Sequence, residues 1–288
     1  ENSSHFQIND YLKPGRHAHL VGIGGVSMRP LGLVLRSMGM QISGSDMNAS
    51  VSTDELMAKG IAVSSGHRAE NNEGADCVIR TAAANNDNPE IAAARAAGIP
   101  IFERAQAWGY IMKAYRHAIC VSGTHGKTTT TSMLTQIFME AGKDPTVMIG
   151  GSLPLLGAGH RVGQGDTIIL ESCEYCNSFL NFFPTTAVVL DIDADHLDFF
   201  KDLEDVKHSF RRFAELVPAD GLIVANGDDK NTLDALDGLS LVRFGMAETN
   251  DVYGTNFSED YRCFDVVCGG KPYCHLELGV IGRHNAMN

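Results

Sequence analysis

The run Ser122-Gly123-Thr124-His125-Gly126-Lys127-Thr128-Thr129 holds the residue types that a phosphate-binding loop needs. Glycines let backbone N–H groups turn toward phosphate oxygens. A helix N-terminus adds partial positive charge, Lys127 adds a full one, and the Thr128 hydroxyl is suited to hold Mg2+. The spacing is the short form Gly-x-x-Gly-Lys-Thr, because Val121 stands where the longer motif has its first glycine. Ala118-Ile119-Cys120-Val121 reads as an apolar strand before the loop, and Lys127 to Ala141 as a helix after it. That context favours an ATP site, in which Gly123, Thr124, His125, Gly126, Lys127, Thr128 and Thr129 cradle phosphate, over a glycine turn carrying an ordinary exposed lysine.

Two other groups carry chemistry. Gly22-Ile23-Gly24-Gly25-Val26-Ser27 follows a strand and supplies two glycines of a dinucleotide fingerprint, with Ser27 in place of the third. Asp46 follows about twenty residues on, after the next strand, where an acidic side chain meets a ribose. This pattern fits a pyrophosphate or nucleotide better than it identifies nicotinamide, and a ligand-free tight turn is its plainest alternative. Further on, Leu170-Glu171-Ser172 and Asp191-Ile192-Asp193-Ala194-Asp195-His196 each follow an apolar strand. Strand C-termini of an open parallel sheet lie together, so Glu171, Asp195 and His196 are expected near the phosphate loop, where carboxylate and imidazole suit Mg2+ carrying phosphate. Without that loop upstream, a histidine after a strand reads as a surface or capping residue. The final run, Ile281 to Asn288, reads by itself as a polar turn opening a helix.

The elements that must position these residues alternate. Strands are expected at His17–Ile23, Gln41–Ser45 and Cys77–Arg80, with another opening at Gly98–Ile101. Helices are expected at Leu31–Met38, Asp54–Lys59, Glu90–Ala97 and Arg104–Ala114. The pattern restarts at His117, with strands at Thr167–Leu170, Ala187–Leu190, Leu222–Ala225 and Leu241–Phe244 and a helix at Val206–Leu216. Such alternation implies α/β architecture with parallel sheets. Phe264–Cys268 and Pro272–Leu278, joined by Gly269-Gly270, read as a hairpin. The expected domains are 1–115, Rossmann-like, and 116–288, a P-loop α/β domain.

Composition narrows the classes. The 288 residues are 44% hydrophobic and 20% charged, which suits about two globular domains. A formal net charge of -12 argues against nucleic acid or an acidic membrane as partner. No apolar run approaches the ~20 residues of a membrane span, and the polar start Glu1–His5 lacks a leader's apolar core. The seven cysteines are odd in number and irregular in spacing. Cys173-x-x-Cys176 finds no second pair to complete a zinc site, and Cys263, Cys268 and Cys274 are expected to be buried side chains. Reduced thiols imply a cytoplasmic protein.

Together these segments resemble the Mur ligase family. The match runs through Gly22 to Met28, Gly123 to Thr129, Glu171 through Phe179-Leu180 to Asp195-His196-Leu197-Asp198, and Gly282-Arg283-His284-Asn285-x-x-Asn288. The resemblance implies that Gly22, Gly24, Gly25, Ser45 and Asp46 line a UDP-sugar site, joined by His67 and Arg104. It makes Lys127, Glu171 and His196 the catalytic set. Thr128 and Glu171 would share one Mg2+, His196 would hold a second, and His284, Asn285 and Asn288 would contact adenine. It also implies a third, C-terminal domain, absent from this sequence, so an isolated two-domain piece is expected to be inactive. The family usually carries Asn where Asp191 stands, and the added carboxylate is expected to bear on Mg2+ affinity or substrate placement. Sister ligases place a carbamylated Lys where Arg211 stands, which favours the alanine-adding branch.

The implied reaction uses ATP and Mg2+ to join L-alanine to the lactyl carboxylate of UDP-N-acetylmuramate through an acyl phosphate. A tripeptide-adding ligase of the same family, a nicotinamide oxidoreductase and a non-catalytic nucleotide-binding module remain alternatives at this stage. The second phosphate loop is unexplained by the oxidoreductase.

Overall fold

A computed structural model of the protein describes residues 6–288, so the polar start Glu1–His5 lies outside the described residues. The chain divides into two compact units, Glu1–Tyr115 with Thr146–Gln164, and Arg116–Pro145 with Gly165–Asn288. The first opens with β1 (His17–Val21), α1 (Met28–Ser37), β2 (Gln41–Asp46), α2 (Val51–Ala58) and β3 (Ala62–Ser65). It continues with β4 (Cys77–Arg80), α3 (Pro89–Ala96), β5 (Ile101–Glu103) and α4 (Arg104–Met112). The sheet order is β3-β2-β1-β4-β5, parallel throughout. The order reverses at β1, so the glycine turn after β1 sits at the crevice where open α/β sheets bind ligands.

Local chemistry sets these helices. Ser50 and Thr53 close a capping box on α2, and Asn88 caps α3 ahead of Pro89. Ala18, Leu20 and Val21 of β1 are buried, as are Leu31, Val34 and Leu35 of α1. Trp108 of α4 is buried too, and its Nε1 donates to both O and Oγ of Ser27 at 3.2 Å, tying α4 to the end of the glycine turn.

The chain then enters the second unit with β6 (His117–Ser122) and α5 (Lys127–Glu140). It returns to the first for an antiparallel hairpin, β7 (Thr146–Leu153) and β8 (Ala158–Arg161), before resuming at β9 (Thr167–Glu171). A 3-10 turn at Tyr175–Asn181 leads to β10 (Thr186–Val189), α6 (Leu203–Ala214), β11 (Leu222–Asn226) and α7 (Lys230–Ala235). β12 (Val242–Gly245), β13 (Val252–Thr255), β14 (Cys263–Cys268), β15 (Lys271–Glu277) and α8 (Arg283–Met287) complete the chain. In this unit the strands run β15-β14-β13-β12-β11-β10-β6-β9. Pairing is parallel from β9 to β13 and antiparallel at β14 and β15, where the Gly269-Gly270 hairpin forms as the sequence predicts.

The structure corrects one expectation about the cysteines. Cys268 and Cys274 are exposed and Cys263 only partly buried, because β15 is an edge strand with every residue exposed. Cys77 and Cys120 are the buried thiols, and burial pushes both up to about 12, which leaves them protonated and inert. All seven are free.

One aromatic cluster fixes the loop that follows β9. Phe179, buried in the 3-10 turn, stacks on Phe213 of α6 with centroids 4.5 Å apart and meets Phe210 edge-on at 5.3 Å. Cys176 and Asn177 just before it are held at positive φ, so packing rather than local preference shapes this turn. Phe179→Ala should cost about 3–5 kcal/mol in urea unfolding; an unchanged midpoint would mean that the turn is not anchored in the core.

Candidate functional site

β6 ends at Ser122 and α5 begins at Lys127, so the loop between them runs from a buried strand into a helix N-terminus. Gly126 holds φ +80, and a Cβ there would collide with Oδ1 of Asn288. The loop is fastened to the segment after β10. Thr124 N donates to Asp191 O at 3.1 Å, His125 N donates to Asp191 Oδ1 at 2.8 Å, and Asp193 N donates to Thr124 Oγ1 at 2.9 Å. His125 Nδ1 lies 2.7 Å from Asp191 Oδ2. That hydrogen bond, with the negative field of Asp191, Asp193 and Asp195, raises the His125 pKa above its ordinary value despite some desolvation. The Asp191 carboxylate is thus directed at the phosphate loop itself.

Lys127 Nζ donates to Gly123 O at 2.6 Å and lies 3.3 Å from Glu174 Oε2. Glu174 is only 2% exposed, so the pair is a buried charge contact. Its other oxygen, Oε1, has no hydrogen-bond partner among the described residues, and His196 Nε2 stands 3.6 Å from it. His196 is held at φ 51°, its N–H donates to Asp195 Oδ1 at 2.6 Å, and its ring packs 4.8 Å from that of Tyr175. Tyr175 OH donates to Asp198 Oδ2 at 2.9 Å, and this bond pushes the phenol up to about 12. Thr128 Oγ1 reaches both oxygens of Glu171 at 3.0 Å.

The candidate metal residues therefore fall into two groups, Thr128 with Glu171, and His196 with Glu174 and Lys127. Among the described residues no three His, Cys, Asp or Glu side chains form a cage. Mg2+ takes one or two carboxylates and completes its shell with phosphate oxygens and water. The partnerless, buried Glu174 Oε1 is an acceptor of the kind such an ion or its waters would satisfy. Glu174 is the residue that sequence reasoning left without a role; its place three residues after Glu171, at the mouth of β9, was the available signal.

A cavity of about 640 Å3 opens beside the loop, lined in part by His125, Gly126, Thr129, Asn226, His284 and Asn288. His284 and Asn288 thus lie beside the loop. Asn285 does not line the cavity; its Nδ2 turns back to Ile281 O at 2.8 Å. Asn226 enters the lining unanticipated, and its Nδ2 donates to Leu190 O at 2.9 Å.

In the first unit, Gly22 N donates to Ser45 O, and Gly24 N donates to Asp46 Oδ2 at 2.9 Å. A Cβ on Gly24 would come within 2.8 Å of that oxygen, so the approach needs glycine. Gly25 N closes the turn on Gly22 O. Gly66 N donates to Asp46 O at 2.7 Å, and Ser45 Oγ lies 3.0 Å from His67 Nδ1. The structure thus gathers Gly22, Gly24, Gly25, Ser45, Asp46 and His67. Arg104 opens α4 directly after β5, two strands from β1 in the sheet order.

A glycine turn at the crevice of one parallel sheet, and on a second, mixed sheet a glycine loop that runs into a helix N-terminus, are features of nucleotide-binding α/β folds. Residues 17–116 match the Mur ligase family catalytic domain and residues 121–288 the Mur ligase middle domain. The chain belongs to the Mur ligase family. It is similar to the UDP-N-acetylmuramate–L-alanine ligase of Clostridium botulinum, 43% identical over 97% of this chain and 62% of the relative. The curated relatives it matches are therefore longer, and the chain spans about three fifths of their length. Among solved structures it is similar to UDP-N-acetylmuramate:L-alanyl-gamma-D-glutamyl-meso-diaminopimelate ligase from Neisseria meningitides, with TM-score 0.86 and 28% identity over 94% of this chain and 90% of that one. It is also similar to UDP-N-acetylmuramate-alanine ligase from Thermotoga maritima, with TM-score 0.79 and 30% identity over 94% and 62%.

The Asp191–His125 contact makes a prediction about charge. A raised histidine pKa means the contact stabilises the loop fully below the ordinary value of 6.5 and fades as pH climbs through the raised one. In Asp191→Asn the His125 titration followed by NMR should move down toward 6.5, with the fold intact. An unmoved midpoint would mean that Asp191 does not control His125.

Proposed function

We propose that this chain carries the UDP-sugar and ATP sites of a ligase that joins L-alanine to the lactyl carboxylate of UDP-N-acetylmuramate. Residues 1–115 are assigned the UDP sugar and 116–288 ATP with Mg2+, in the cytoplasm. The observation that carries this reading is the phosphate loop, with Lys127 opposed to buried Glu174 and with His284 and Asn288 closing the adjacent cavity. The 43% identity to an alanine-adding relative supports the choice of amine.

In the proposed reaction the lactyl carboxylate oxygen attacks the γ-phosphorus of ATP, the bond to the β-γ bridging oxygen breaks, and ADP leaves. The amine of L-alanine then adds to the acyl phosphate, loses a proton and expels inorganic phosphate, leaving an amide. Mg2+, held by Thr128 and Glu171 and at the His196 group, would neutralise phosphate charge. Lys127 contributes a fixed positive charge at the transferring group, and loop N–H groups orient it, so catalysis in the first step is mainly positioning and charge neutralisation. Lys127 must exchange its bond to Gly123 O for a phosphate oxygen when the nucleotide arrives. The likeness to the Neisseria structure supports a second reading, in which the amine is a tripeptide.

Calorimetry on the 288-residue chain tests the site assignment. UDP-N-acetylmuramate should bind, and Lys127→Ala should leave that affinity unchanged while weakening Mg2+-ATP by about 2–4 kcal/mol. Absence of UDP-sugar binding by the unaltered chain would overturn the reading. In the protein extended to its relatives' length, mass spectrometry of products from L-alanine and tripeptide donors decides the amine.

A further inference from the structure

The first unit buries a carboxylate that the proposed function leaves unused. Glu90, the second residue of α3, is 0% exposed. Its Oε2 accepts from Ser45 Oγ at 2.7 Å and lies 2.9 Å from His67 Nδ1; Oε1 accepts from Asn71 Nδ2, and its backbone carbonyl accepts from Asn72 Nδ2. His19 Nε2 stands 3.5 Å from Oε1, and His19 Nδ1 reaches Ser43 Oγ at 2.8 Å. One side chain thus gathers β1, β2, the turn after β3 and the segment leading to β4. Burial alone would raise the Glu90 pKa; the adjacent His19 imidazole and hydrogen bonds from Ser45 and Asn71 outweigh it and hold the group down at about 2.

An ionised carboxylate only accepts, so the His67 nitrogen facing it must carry the hydrogen. Ser45 has a single hydroxyl hydrogen, already donated to Glu90, so it too can only accept from His67. Both neighbours therefore place the His67 proton on Nδ1. In the neutral ring Nε2 is then a pure acceptor, and it makes no hydrogen bond within the described residues. Its neighbour Gly66 donates to Asp46 O, and the Asp46 carboxylate accepts from Gly24 N, so the backbone that carries His67 is tied through Asp46 to the glycine turn.

We propose that Glu90 is a positioning residue: it locks His67 as the Nδ1–H tautomer so that Nε2 accepts a hydrogen bond from the nucleoside of the UDP sugar, either the uracil imide N–H or a ribose hydroxyl. The proposal rests on the UDP-sugar reading above, and the test separates the two. Nitrogen-15 NMR of the ligand-free 288-residue chain at pH 8 should find His67 protonated at Nδ1; protonation at Nε2 overturns the proposal. Calorimetry then compares UDP with its N3-methyl and 2′-deoxy analogues. One analogue should bind about tenfold more weakly than UDP, as expected when a buried acceptor loses its donor. Methyl sensitivity identifies the imide and deoxy sensitivity the ribose. In Glu90→Gln that discrimination should collapse toward one, whereas a merely structural role would weaken all three ligands alike. His67→Gln, which keeps an acceptor near the Nε2 position, should retain more affinity than the donor-only His67→Lys. Equal binding of all three nucleotides by the unaltered chain overturns the proposal, even if Glu90→Gln fails to fold. If no UDP binds while the tautomer is as stated, the UDP-sugar reading falls and Glu90's hold on His67 stands.

Discussion

Everything in the second unit hangs on β6 being hydrogen-bonded on both sides by parallel partners. β9 fixes Val121 against Glu171, and β10 fixes Ser122 against Val189. The ladder continues past the strand ends, with Ser172 N on Val121 O and Leu190 N on Ser122 O. Glu171 and Asp191 are therefore delivered to the phosphate loop by backbone register, before any side-chain contact forms. A slip of one residue would turn both carboxylates to the opposite face of the sheet. Parallel pairing is what brings three loops, far apart in sequence, to one edge.

Among the described residues, each unit buries one carboxylate near the C-terminal edge of its sheet. Glu174 lies under the phosphate loop against Lys127, and Glu90 lies under the glycine-turn side against His67, Ser45 and Asn71. A charge withdrawn from water is tolerated only when its neighbours compensate it, and the compensating groups are then held in place. Within the loop, Lys127 Nζ donates to Gly123 O. That contact keeps the lysine inside the loop rather than free in solvent.

Much of this was legible in the sequence because it rests on backbone chemistry. Gly24 and Gly126 occupy positions where a Cβ has no room, and Lys127 with Thr128 can be recognised by spacing alone. The β14–β15 hairpin followed from paired glycines between strand-like runs. What stayed hidden depends on packing. β3, with the sequence Ala-Val-Ser-Ser, carries no apolar alternation and is a strand only because β2 supplies a partner. Glu90 reads as an unremarkable first-turn helix acid, and its importance arises from residues up to 71 positions away. Asn285 sits inside a recognisable motif, yet its amide is used to close its own turn. The exposed cysteines of the hairpin misled because strand-like alternation does not reveal that a strand lies at an edge.

The return of Thr146–Gln164 to the first unit has a consequence for biogenesis. On a ribosome, β1 to β5 emerge long before the hairpin of β7 and β8 that completes their unit. During that interval β6 and α5 are made as well, while β9 and β10, which must flank β6, are still missing. Neither unit can finish as an uninterrupted stretch of newly made chain, and the contacts that close them join residues distant in sequence. Such topology slows folding and prolongs the exposure of unpaired strand edges. The nascent protein would pass through a stage in which the first sheet stands formed and β6 waits unpaired, the stage at which a chaperone would have most to protect.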